Sequence, residues 1–187
     1  DAGASMTIRN LDALFHPESV AIFGASPREG SLGRTVLDNM REAGFSGPVM
    51  PVNPKYEEID GLACHPDVAS LPETPDLAVF ATPPRTIPPL VEALGARGTR
   101  AAVALTAGLD DENGLRQAML DAARPNTFRI VGPNCFGLFV PKLGLNASFS
   151  HVAPKPGNVA LLSQSGALIA ALLDVAAARG IGFSRIV

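Results

Sequence analysis

The residues best suited to chemistry in this chain sit in short loops that follow apolar runs. The first loop is Gly24-Ala25-Ser26-Pro27-Arg28-Glu29-Gly30-Ser31-Leu32-Gly33, a glycine-rich turn that opens a helix. Free backbone N–H groups and the positive dipole end at a helix start favour a phosphate. The spacing is not G-x-G-x-x-G, because Ala25 and Ser26 follow Gly24 and the loop runs on before Gly30 and Gly33. A loop whose glycines serve only to turn the chain is the competing reading. After the next apolar run comes Asn53-Pro54-Lys55. An NAD-linked dehydrogenase would place an Asp or Glu here for the ribose hydroxyls. A lysine instead suits a ribose phosphate, as in CoA or NADP, through charge-assisted bonds. With Glu57 and Glu58 nearby, a solvated surface lysine fits the sequence equally well.

Three further loops follow apolar runs: Ala81-Thr82-Pro83-Pro84-Arg85, Thr106-Ala107-Gly108-Leu109 and Gly132-Pro133-Asn134-Cys135. Their Gly and Pro content holds backbone rigid and lets it approach a ligand closely, or merely turns the chain. Ser163-Gln164-Ser165-Gly166 ends another apolar run and opens an apolar helix, where hydroxyls and backbone donors make an anion cradle or an ordinary helix cap. It is not a nucleophile elbow, since Leu162 and Ser163 do not supply the first Gly of G-x-S-x-G. Cys135 has no recognisable His base and reads as a small buried residue near the ligand. His16, His65 and His151 fall in no metal-ligand spacing, so no metal site is expected.

The elements that must position these loops are legible. Seven short apolar runs starting near Val20, Val49, Leu77, Ala101, Phe128, Val159 and Phe183 read as buried strands, 24 to 31 residues apart. That step fits the strand-helix crossover that builds a parallel sheet, so the class is α/β. Ile87, Leu90, Val91 and Leu94 share one helix face behind a Thr86 cap, with Gly95 or Gly98 closing the end. Val36, Leu37 and Met40 share another, and Leu115 and Met119 a third, behind the acidic start Asp110-Asp111-Glu112. Between Gly132 and Gly157 the helical period stops, which marks a junction. Boundaries follow: a tag or disordered end over 1–10, a first domain over 11–140, a linker over 141–157, and over 158–187 one strand-helix-strand unit. A single such unit cannot cover both faces of its strands, so the second domain reads as incomplete.

Composition narrows the function. The chain of 187 residues is 47% hydrophobic and 18% charged, with a net charge of −3. No Lys/Arg run offers the footprint of a nucleic-acid binder, and no apolar run reaches a membrane span. Two cysteines make no disulfide framework, which suits a reducing cytoplasm.

Taken in order, Ser19-Val20-Ala21-Ile22-Phe23-Gly24-Ala25-Ser26, Pro51-Val52-Asn53-Pro54-Lys55-Tyr56, Gly132-Pro133-Asn134-Cys135, Gly144-Leu145-Asn146-Ala147-Ser148-Phe149 and Ser163-Gln164-Ser165-Gly166-Ala167 closely resemble the NDP-forming acyl-CoA synthetases. The likeness runs from Leu11 onward with matching spacing. That family includes ADP-forming acetate-CoA ligase and the α subunit of succinyl-CoA synthetase. The resemblance implies a Rossmann-like parallel-sheet CoA-binding domain followed by an incomplete flavodoxin-like α/β domain, the start of a succinyl-CoA-ligase-like domain. It implies that Gly24, Ala25, Ser26, Arg28, Gly30, Gly33, Asn53, Lys55, Thr82, Pro83, Thr106, Gly108 and Asn134 line CoA. Ser163, Gln164, Ser165 and Gly166 would face the phosphoryl group of a phosphohistidine.

The implied reaction converts acyl-CoA, ADP and phosphate into acid, CoA and ATP through an acyl phosphate and that phosphohistidine. None of the three histidines matches the phosphorylated one, which is expected beyond Val187. No catalytic residue is therefore assigned within the chain. ATP/ADP and Mg belong to an ATP-grasp portion expected as a further domain or subunit. The expected partners are CoA, a short-chain acyl substrate and that ATP-grasp portion, with a homo-oligomer left open and neither nucleic acid nor membrane. A similar module in bacterial protein lysine acetyltransferases, sensing CoA or acyl-CoA without ligase activity, is the alternative, and an NADP-linked oxidoreductase is a third reading.

Overall fold

The computed structural model describes residues 10–187. The end expected over residues 1–10 lies outside the described residues except for Asn10, whose Nδ2 donates to the Thr127 carbonyl at 2.7 Å. In chain order the elements are α1 (Leu11–Phe15), β1 (Val20–Phe23), α2 (Leu32–Glu42), β2 (Val49–Val52), β3 (Glu58–Ile59), β4 (Leu62–Ala63) and β5 (Leu77–Phe80). Then follow α3 (Ile87–Arg97), β6 (Ala101–Ala104), α4 (Leu115–Ala123), β7 (Arg129–Val131), β8 (Gly137–Val140), β9 (Leu145–Ser148), β10 (Pro156–Leu161), α5 (Gly166–Arg179) and β11 (Phe183–Ile186). All seven runs read as strands from the sequence are strands.

Five of them make one sheet in the order β2-β1-β5-β6-β7, with every neighbour parallel. Counted among themselves they run 2-1-3-4-5, a doubly wound order whose switch point falls between β1 and β5. Both sheet faces are covered, which is why these strands are apolar throughout and do not alternate. Val20, Ile22, Leu77, Val79, Ala101 and Val103 face α1 and α2 in one core, with Val36, Leu37 and Met40. Ala21, Phe23, Ala78, Phe80, Ala102 and Ala104 face the other core, with Ile87, Val91 and Leu94 of α3 and Met119 of α4.

The helix ends differ from expectation in two places. Thr86 lies in a 3₁₀ turn ahead of α3 and does not cap it; its hydroxyl donates back to the Pro83 carbonyl at 2.7 Å, while Pro88 and Pro89 start the helix without needing N–H partners. Gly98, at φ 118°, closes α3 as expected. The acidic run 110–112 precedes α4 in a loop held by Asn113, and Gly114 sits at the cap.

The junction between Gly132 and Gly157 carries more regular structure than its lack of a helical period implies. Residues 137–148 form the hairpin β8-β9, and this joins β10 and β11 in a second sheet of order β10-β11-β8-β9. Only β10 and β11 are parallel there. Alternate residues of β8 serve two cores: Leu138 and Val140 pack with α2, whereas Phe139 packs with Ile169, Leu173, Phe183 and Ile186. The stretch expected as a linker therefore contains an edge strand, and the first domain's last strand belongs to the second sheet. Asn39 of α2 ties the two together, its Nδ2 donating to the Ser148 and Ser150 carbonyls at 2.9 and 3.0 Å.

Candidate functional site

The carboxyl ends of the five parallel strands form one crest, and the loops leaving them are bonded to one another in series. Gly24 N donates to Val52 O (2.9 Å), and Ala81 N to Phe23 O (2.9 Å). Asn53 Nδ2 donates to Ala25 O (2.7 Å), and Thr106 Oγ1 to Thr82 O (2.8 Å). Asn134 N completes the series on Thr106 O (3.0 Å). Five of the loops singled out from the sequence are thus drawn into one continuous edge that crosses the switch point. Such an edge is where a ligand rests on an open parallel sheet.

The first loop is built by close approach. Gly24 lies at φ 90°, and a side chain there would overlap the Ala81 carbonyl of the neighbouring loop. A Cβ on Gly33 would overlap the Gly24 carbonyl, so only glycine lets α2 sit this close beneath the loop. Ala25 is fully buried between them. Ser26 Oγ accepts from Arg28 N at 3.1 Å, and Ser31 caps α2 by accepting from Arg34 N at 3.3 Å. Arg28 and Gly30 are exposed at the loop's tip, and a Cβ on Gly30 would meet nothing within 4 Å. The tip and the first turn of α2 therefore face outward with the helix's N-terminal dipole behind them.

Lys55 is exposed, and its backbone N is fixed by Asn53 Oδ1 at 3.0 Å. Thr82 pairs its hydroxyl with Thr86 Oγ1 at 2.7 Å, beside the exposed Pro83. Gly108 lies against Pro84, and Asn113 Nδ2 holds its carbonyl at 2.9 Å. Asn134 is exposed at φ 54°. Thr86 and Asn113 were missed as supports of this crest. The Asn113-Gly114 pair ahead of a helix carried a usable turn signal; Thr86 was read as a cap instead.

Ser163, Gln164, Ser165 and Gly166 lie at the start of α5, beside the far end of this edge. Ser165 Oγ accepts from Leu168 N at 3.3 Å and is the N-cap, and Ser163 Oγ accepts from Ser165 N at 3.0 Å. Gln164 is exposed. Gly166 packs against Phe136, two residues beyond Asn134. Phe136 in turn stacks on Phe139 and meets Phe149 edge-on.

The remaining reactive side chains are quiet. Burial pushes the Cys135 thiol up to about 11, and the thiol donates to the Ala104 carbonyl at 3.4 Å. Burial also pushes the Cys64 thiol up. A thiol held protonated is no nucleophile at neutral pH. His151 Nε2 lies 3.2 Å from Asp174, and His16 Nδ1 lies 3.6 Å from Asp12, both near the surface. Among the described residues no cluster of three His, Cys, Asp or Glu side chains could hold a metal.

Residues 18–141 match the family model described as a CoA binding domain. The chain belongs to that family. Beyond this CoA-binding domain, residues 156–187 match the family described as a succinyl-CoA ligase like flavodoxin domain. The chain is 41% identical over 181 residues to acetate-CoA ligase [ADP-forming] I of Archaeoglobus fulgidus, covering 95% of this chain and 26% of that protein. It is 36% identical to the α subunit of acetate-CoA ligase [ADP-forming] I of Pyrococcus furiosus, covering 95% of this chain and 40% of that subunit. The fold matches a dinucleotide forming acetyl-coenzyme A synthetase of Ca. Korarchaeum cryptofilum, solved with phosphate and ADP, at TM-score 0.88 and 37% identity over 95% of this chain and 39% of that one. The CoA-binding chain thus spans about a quarter to two fifths of the length of these relatives. No helix of the described residues is long and apolar enough to cross a membrane.

Proposed function

We propose that this chain is the CoA-binding part of an acid-CoA ligase that interconverts acyl-CoA, ADP and phosphate with acid, CoA and ATP. The observation that carries the reading is the crest: five strand ends bonded in series, with a glycine turn and a helix start aimed outward at one end and a free lysine beside it. Main-chain amides of the Gly24–Gly33 turn would hold the pyrophosphate. Lys55 would meet the ribose 3′-phosphate, and the Thr82-Pro83 and Thr106–Gly108 turns would guide the uncharged arm toward Asn134. The arm's thiol end would then lie near Ser163–Gly166, whose helix start suits a phosphoryl group. The phosphorylated histidine of the reaction matches none of the three histidines present. The acid is proposed to be a short carboxylate. ATP/ADP and Mg are proposed to bind an ATP-grasp domain or subunit, a division supported by relatives named as α subunits. A cytoplasmic setting is proposed with it. The relatives named above are ligases and a synthetase, so the acetyltransferase alternative gains no support from them.

Calorimetric titration with CoA, 3′-dephospho-CoA and NADP tests the reading. CoA should bind more tightly than dephospho-CoA, and Lys55→Ala should remove that preference, a change of about 1.5 to 3 kcal/mol for a charge-assisted contact. Tight NADP binding with no CoA binding would overturn it.

A further inference from the structure

β2 is an edge strand of the first sheet, and Pro51 within it and Pro54 just past it remove two donors from that edge. On its outer side the gap is closed by His65, which donates to Pro51 O and accepts from Asn53 N, both at 2.9 Å. On its inner side the last rung runs from Gly24 N to Val52 O. The next rung of a parallel ladder would need an amide at position 54, and Pro54 has none. At that gap the Asn53 side chain crosses instead, with Nδ2 on Ala25 O at 2.7 Å and Oδ1 accepting from Lys55 N at 3.0 Å. Its main-chain carbonyl accepts from Tyr56 N at 3.4 Å and faces the Cys64 thiol at 3.6 Å.

We infer that Asn53 is a positioning residue of the CoA site: it supplies the rung that Pro54 cannot, and so locks the glycine turn in register with the turn that presents Lys55. The resemblance grouped Asn53 with the ligand-lining residues, yet each end of its side-chain amide already has a partner in the chain itself. Only an amide fits this duty, because one end must donate and the other accept. Aspartate would keep the bond from Lys55 N but set an oxygen against Ala25 O. Alanine would lose both. The ligand half of this inference rests on the CoA reading above; the mechanical half does not.

The test combines hydrogen exchange on the ligand-free chain with calorimetry using CoA and 3′-dephospho-CoA. Wild type, Asn53→Ala, Asn53→Asp, Lys55→Ala and the Asn53→Ala/Lys55→Ala double variant are compared. The hydrogen-bonded amides of the turn, those of Arg28 and Ser31, should exchange about fivefold faster in both Asn53 variants, the factor that one net hydrogen bond carries. Asn53→Ala should weaken both ligands and bring the CoA to dephospho-CoA preference close to one. Adding Lys55→Ala to it should then change little, since the lysine has already lost its placement. Asn53→Asp covers the case in which the alanine variant does not fold. Unchanged loop exchange, or a preference kept at the wild-type level in the Asn53 variants, overturns the inference while leaving the CoA reading intact. Wild type that binds no CoA overturns the CoA reading, and loop exchange alone then decides the mechanical half.

Discussion

The two regions of this molecule that contain parallel strands have opposite surroundings. Every residue of β1, β5 and β6 is buried, because α1 and α2 cover one face of the sheet and α3 and α4 the other. β10 is exposed along five of its six residues, and α5 packs only one stripe, Ile169, Leu173 and Ala176, inward. Leu168, Leu172 and Val175 stay exposed on the opposite side of the same helix. Composition fixes what could be buried, and only the neighbours decide what is. The crest stands on the first arrangement, its loops bonded in series above strands covered on both faces.

The sharpest way to break this contrast is at Gly33. Gly33→Val would drive a side chain into the Gly24 carbonyl, separating α2 from the first turn. Loss of cooperative thermal unfolding is expected, with a penalty above about 4 kcal/mol; calorimetry showing a wild-type melt would refute the close-approach account. One substitution made in both regions measures the contrast itself. Leu94→Ala, at a site 0% exposed, should cost about 2 to 5 kcal/mol in denaturant unfolding, whereas Leu172→Ala, at a site 37% exposed, should cost under about 1 kcal/mol. Equal losses would mean that the outer face of α5 is packed after all.

A pH-dependent effect lies at the crest, where the Cys135 thiol sits on the Ala104 carbonyl. The folded chain keeps the Cys135 proton up to about pH 11, against an ordinary value of 9.0. The unfolded chain releases it first, so stability contributed by the buried thiol is complete below about 9 and falls as pH rises to about 11. The slope is at most about 1.4 kcal/mol per pH unit. Urea melts of wild type and Cys135→Ala across that window should converge as pH rises; a constant gap would exclude this assignment.

Much of the fold was legible because parallel strands covered on both faces must be apolar throughout and recur at the length of a crossover. The candidate loops were legible for the same reason, since each strand end announces one. What escaped was short or shared. α1 has only five residues, and β3-β4 is a two-residue hairpin whose Asp60-Gly61 turn was the one clue. β8 alternates between two cores, so its residues look apolar without showing whose partner they are.

The sequence by itself determined the α/β class, the seven strands and the residue types available at each strand end, because local pattern and chain spacing are written along one dimension. Only the tertiary structure decided that Asn53 reaches Ala25, that Thr106 reaches Thr82 and that the expected linker contains an edge strand. Those contacts join residues 24 to 28 positions apart or more, across a sheet whose order is not the order of the chain. Hydrogen bonds and packing at that range depend on which strand lies beside which, and no local pattern carries that information.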